Sequence, residues 1–170
     1  AGLIDVDEKG SIVDWRAYCN STSLSCQVVM KDPTDAKTRA KLEKVLYDLR
    51  NDLSSGVESV FTKTECEREH HLTGNFEYVL EGRERTSFGN AWRGAKMVTP
   101  DNSDYKFSVA SHGHLPHKGP QPVFIMAGPD IREGVVFERK SIIDEAPTFA
   151  ALLGFELPQA TGHVIHEILK

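Results

Sequence analysis

The sequence predicts an α/β chain in which a small α+β lobe is set into part of a layered core. Three observations predict it. Residues 34–54 carry apolar side chains at helical spacing, with Lys, Arg, Asp and Glu on the opposite face. Short β-forming runs lie around that helix, at Ser23–Met30, Val57–Phe61 and Phe76–Leu80. Farther on, the continuous apolar run Pro122–Ala127 fits a strand buried on both faces, and a helix with proline in its first turn begins at Asp144.

Each element has its own signal. Residues 1–22 are mixed and read as a core connection, with a turn at Asp7-Glu8-Lys9-Gly10 and a short strand at Ser11–Trp15. Thr34 or Asp35 caps the long helix, and Leu42, Val45, Leu46, Leu49 and Leu53 form its apolar stripe. Gly56 ends it. Glu65–Leu72 reads as a short helix, so residues 23–104 form the inserted lobe. Residues 86–104 are polar and turn-rich, a connection back to the core. Tyr105–Ala110 alternates as a strand and opens the C-terminal core part, residues 105–170. In the helix at Asp144, Phe149, Leu152 and Leu153 point inward and Gly154 closes it.

Composition bounds the function. A chain of 170 residues buries roughly 70% of its unfolded surface without disulfide staples. The apolar share of 39% and charged share of 26% fit a soluble globular protein. A net charge of -5 without a basic stripe argues against nucleic acid or an anionic membrane as partner. Cys19, Cys26 and Cys66 make an odd set with no CxxC pair, which argues against a thiolate zinc site. Pairing of Cys19 with Cys26 would need an oxidising compartment. Asn20-Ser21-Thr22 matches a glycosylation sequon, which carries no meaning without secretion. The chain opens at Ala1 and reads as a piece of a longer polypeptide.

The chemistry-bearing residues concentrate in one loop. His112-Gly113-His114-Leu115-Pro116-His117 places three imidazoles within six positions, and its Gly and Pro break both helix and strand. A self-contained metal site of the HxHxDH kind needs an Asp-His pair, and the sequence contains none. By spacing alone these are surface histidines on a connecting loop. His70-His71 lie in a charged segment, and His163 and His166 have Glu167 as their carboxylate neighbour in sequence.

The surroundings of the loop add a resemblance. The succession SHGHLP, KGPQPVFIMAGPDI, SIIDEAPTFAALLG, LP and EIL resembles the C-terminal segment of type I phosphodiesterase/nucleotide pyrophosphatase proteins of the alkaline phosphatase superfamily. It covers about 105 to 168, and AGLIDVDEKG and FEYVLEG are weaker echoes upstream. The resemblance implies a partial alkaline-phosphatase-like core and a hydrolase using two divalent metals, usually zinc. In that family a metal-bound Thr or Ser attacks phosphorus, and metal-activated water completes the hydrolysis of the phosphate ester. The position matching the family's late metal ligand is His112, while His114 and His117 match no fixed role and are rim residues.

The nucleophile and the other ligands of that family have no counterpart in residues 1–110. The expectation is therefore the C-terminal part of a larger phosphohydrolase, inert alone and binding no metal tightly. Its parent would take a phosphate-ester or nucleotide-like substrate, and the missing N-terminal half would be its first partner. Two alternatives stay open. One is a non-catalytic interaction module of the same fold, prone to self-association through exposed strands such as Pro122–Ala127. The other is an independent metal hydrolase on His112, His114 and His117, with Asp101 and Asp104 approaching the loop.

Overall fold

Backbone pairing and helix capping account for most of what the sequence predicts. The computed structural model describes residues 1–84, 86–90 and 112–170. The chain divides into two units, Ala1–Pro120 and Gln121–Lys170. The described residues form a mixed α/β structure with two antiparallel sheets and three α-helices.

In the first unit, β1 (Ile4–Val6) and β2 (Ile12–Trp15) make an antiparallel hairpin. Its turn is the Asp7–Gly10 segment: the Gly10 amide donates to the Asp7 carbonyl at 2.8 Å, and the Ser11 amide to the Asp7 carboxylate at 2.7 Å. The larger sheet contains β3 (Ala17–Ser21), β4 (Ser25–Met30), β5 (Val57–Thr62) and β6 (Tyr78–Gly82), in the order β3-β4-β6-β5. Strand β3 lies in the stretch read as a connection. Its Tyr-Cys-Asn-Ser run has too little apolar alternation to announce it.

Helix α1 (Ala36–Asn51) covers one face of this sheet. Asp35 caps it, its carboxylate accepting from the Lys37 and Thr38 amides at 3.0 and 3.1 Å. Leu42 and Leu46 are buried with Val28, Met30, Val60, Tyr78 and Leu80 in the main core. Burying each leucine stabilises the unit by about 1.5–3 kcal/mol. Leu53 departs from the expected stripe. Asp52 ends the helix and its carboxylate accepts from the Ser54 amide, so Leu53 falls in a separate turn and is 76% exposed. Gly56, in the left-handed region at φ 79°, then leads into β5.

The other face carries a second, smaller cluster. Helix α2 (Lys63–His70) starts at a capping box, in which Thr62 and Glu65 satisfy each other's backbone amides. It brings Cys66 onto Phe76 and Val79. Alternation along β6 therefore sends Tyr78 and Leu80 to the α1 face, and Val79 to the α2 face.

The second unit corrects two expectations. Pro122–Ala127 forms no strand, and Val123 and Ile125 are 81% and 83% exposed. An all-apolar run becomes a buried strand only between neighbouring strands. In this unit the described residues make a single isolated bridge, Ile131 with Leu169. Helix α3 (Glu145–Leu152) forms as expected, entered through a single turn at Ile142–Asp144. Its buried face is Pro147, Thr148 and Ala150, whereas Phe149 and Leu153 are exposed. A helix of eight residues buries whichever side meets the C-terminal tail, and the tail lies against the smaller side chains. The strand expected at Tyr105–Ala110 lies outside the described residues, as does most of the 86–104 connection.

Candidate functional site

The histidine loop is held on the larger sheet by backbone contacts at one end and a buried charge at the other. The Leu24 amide donates to the His112 carbonyl at 3.3 Å. Gly113 follows at φ 99°, where a Cβ would stand 2.6 Å from the Thr22 carbonyl oxygen. Only glycine satisfies both constraints at that position, so the His-Gly dipeptide has a physical basis. His112 itself is exposed.

At the other end, Glu81 projects from β6 and is only 3% exposed. Its carboxylate accepts from the Leu115 amide at 3.0 Å and lies 3.3 Å from the Lys118 ammonium. Lys118 also donates to Glu58 at 2.5 Å and to the Gly82 carbonyl at 2.6 Å. Burial of Lys118 pulls its pKa down, but Glu58 and Glu81 more than offset this and the net shift is upward. Lys118 in turn holds the Glu58 carboxyl below its usual range.

The three imidazoles do not converge. His114 is half-buried, with Nδ1 3.0 Å from the Leu115 carbonyl oxygen, whereas His112 and His117 are exposed. No three His, Cys, Asp or Glu side chains come together as a metal-binding set among the described residues. Asp101 and Asp104 lie outside those residues. Sequence reasoning missed Glu81 and Lys118. The available signal was a carboxylate, Glu81, following the apolar run Tyr78-Val79-Leu80 within one strand.

In the second unit, the Asp-Glu-Ala-Pro-Thr segment fastens the C-terminal tail. Asp144 accepts from the His163 amide at 2.8 Å and from the Ser141 amide at 3.3 Å. Thr148 is fully buried; its hydroxyl donates to the Asp144 carbonyl at 2.6 Å and accepts from the Ile165 amide at 2.9 Å. Gly162 lies where a Cβ would meet the Ile143 carbonyl at 2.1 Å. Thr148 satisfies the buried Ile165 amide, while Asp144 ties down the more exposed Ser141 and His163 amides, and these backbone roles account for a Thr and an Asp at this spacing.

Comparisons with family models, curated proteins and solved structures find no match to this chain. Among the described residues, no helix is long and apolar enough to cross a membrane.

Proposed function

We propose that this chain is the C-terminal part of a metal-dependent phosphohydrolase of the phosphodiesterase/nucleotide pyrophosphatase type. It would hydrolyse phosphate esters through a metal-bound Thr or Ser nucleophile lying outside the chain, with His112 as one metal ligand. The observation that carries the reading is the His112-Gly113 dipeptide, read with the ordered motifs that follow it. An exposed imidazole, ahead of a position open only to glycine, fits a ligand presented from a fixed loop.

The residues described here do not by themselves fit a zinc ion, since one imidazole falls short of the three or four protein ligands such an ion takes. No catalytic step through a metal follows from this chain alone, and two zinc ions belong to the complete enzyme in this reading. Calorimetric zinc titration, with turnover of p-nitrophenyl phosphate and its bis-ester, tests it. This chain is expected to bind no stoichiometric zinc. A longer polypeptide that supplies the nucleophile and remaining ligands is expected to bind zinc and turn over, and to lose both with His112→Ala. Tight zinc on this chain alone, removed by His112→Ala, would overturn the reading.

A second reading, a non-catalytic interaction module, is favoured by one feature of Gln121–Lys170. Val123, Ile125, Val136, Ile142 and Leu153 are all largely exposed, an apolar load that a free surface rarely carries. Sedimentation showing concentration-dependent association that persists with chelator and is lost in Val123→Lys/Ile125→Lys would support it. A monomer at all concentrations would count against it.

A further inference from the structure

Glu81 grips the histidine loop at two places, and the loop closes on itself between them. The Leu115 amide donates to the Glu81 carboxylate at 3.0 Å, and the Lys118 ammonium lies 3.3 Å from that carboxylate. The Leu115 carbonyl accepts from the Lys118 amide at 2.9 Å and faces His114 Nδ1 at 3.0 Å. A carbonyl oxygen can only accept, so Nδ1 carries the proton and Nε2 of the neutral ring keeps its lone pair. Gly119, at φ 71°, stands where a Cβ would lie 3.1 Å from that Nε2. At the His112 end, the Leu24 amide donates to the His112 carbonyl at 3.3 Å, and the Leu24 carbonyl accepts from the Gly82 amide at 3.1 Å. Both ends of the loop are thus pinned to adjoining rungs of the β4–β6 pair, where Ser25 faces Glu81. A buried carboxylate is costly, and well-packed apolar side chains commonly replace a buried ion pair without loss of stability. What they do not supply is an acceptor for the Leu115 amide.

We propose that Glu81 is a positioning residue for the histidine loop: through the Leu115 amide it sets the backbone that presents His112 and fixes His114 as its Nδ1–H tautomer. The His112 part rests on the phosphohydrolase reading; the His114 part does not. The contacts form a closed circuit, Glu81 to Leu115, Leu115 to Lys118 and Lys118 back to Glu81, so the loop has one seat on the sheet. Removing the carboxylate releases the Leu115 amide, and with it the carbonyl of the same residue that holds the His114 ring. The imidazole is then free to take either tautomer, since its surroundings choose which nitrogen is protonated. Glu81→Gln keeps an oxygen for Leu115 and therefore keeps the seat. In the complete enzyme, a ligand presented from a loosened backbone binds its ion more weakly, so Glu81 acts on metal affinity without touching the metal.

The test is long-range proton–nitrogen correlation spectroscopy of the chain with isotope-labelled histidine, at about pH 8, where imidazole is neutral. His114, assigned by its loss in His114→Ala, is expected as the Nδ1–H tautomer in wild type and in Glu81→Gln. In Glu81→Ala it is expected as a mixture of both tautomers. Should Glu81→Ala fold poorly, the wild-type spectrum still decides: a His114 protonated on Nε2 would overturn the proposal. So would an unchanged His114 tautomer in a folded Glu81→Ala. In a longer polypeptide that supplies the remaining ligands, Glu81→Ala is expected to bind zinc about tenfold more weakly and Glu81→Gln as wild type does. Equal affinity in all three would overturn the His112 part. Because the tautomer is read on this chain without metal, a longer wild-type polypeptide that takes up no zinc would count against the phosphohydrolase reading and leave the hold of Glu81 on His114 standing.

Discussion

Glu81 on the central strand β6 and Lys118 on the histidine loop form a 3.3 Å ion pair whose side chains are 4% and 13% exposed. One carboxylate thus serves both an ammonium and the Leu115 amide, and fixes the loop to the sheet. Glu81→Ala leaves a nearly buried cation and a backbone donor short of an acceptor. The expected loss is about 3 kcal/mol, at the low end for a broken buried pair because Lys118 keeps Glu58 and the Gly82 carbonyl. Glu81→Gln retains an acceptor for Leu115 and should lose less. Urea unfolding of both variants checks this, and an unchanged midpoint in Glu81→Ala would refute it.

Thr148 is predicted to act through its hydroxyl and not through its volume. Thr148→Val keeps the shape but strands the Ile165 amide in a buried site, at a cost of about 1–3 kcal/mol. Thr148→Ser restores the acceptor and should recover most of it. Amide exchange at Ile165 is the direct readout: faster in Thr148→Val and near wild type in Thr148→Ser. Equal exchange in the two variants would assign the site to packing.

Alkaline pH should weaken the first unit through Tyr78. Burial, followed by the hydrogen bond to Glu43 at 2.6 Å, pushes its phenol up to about 12 from 10.0. The folded state therefore holds the proton more tightly than the unfolded chain. The associated stability is complete below pH 10 and is lost as pH rises through about 12, amounting to about 3 kcal/mol. Lys118, also raised, acts in the same direction. The diagnostic quantity is thus the difference between wild type and Tyr78→Phe: wild type should lose more stability across this window. Parallel pH profiles would show that Tyr78 is not the titrating group.

Legibility in the sequence followed the range of the forces involved. Asp35 as cap, the Leu42/Leu46 stripe and the Asp7–Gly10 turn depend on neighbours within a few positions and are where local reasoning puts them, and α3 starts at Glu145, one residue after the expected Asp144. The expectations that failed needed partners distant in sequence. Pro122–Ala127 has the composition of a buried strand but no strand beside it among the described residues, and Phe149 and Leu153 face out because the tail packs on Thr148 and Ala150. At the candidate site, the order of motifs singled out His112. The clamp on its loop joins residues 58, 81, 82, 115 and 118, a grouping no local pattern announces.

By itself the sequence determined the Asp35 cap, the Asp7–Gly10 turn and the buried Leu42/Leu46 stripe, because capping, backbone preference and periodicity act over a few residues. Only the tertiary structure decided which apolar run is covered and that Glu81 is buried against Lys118. Burial and pairing are properties of two surfaces brought together, and the second surface is supplied by distant parts of the chain.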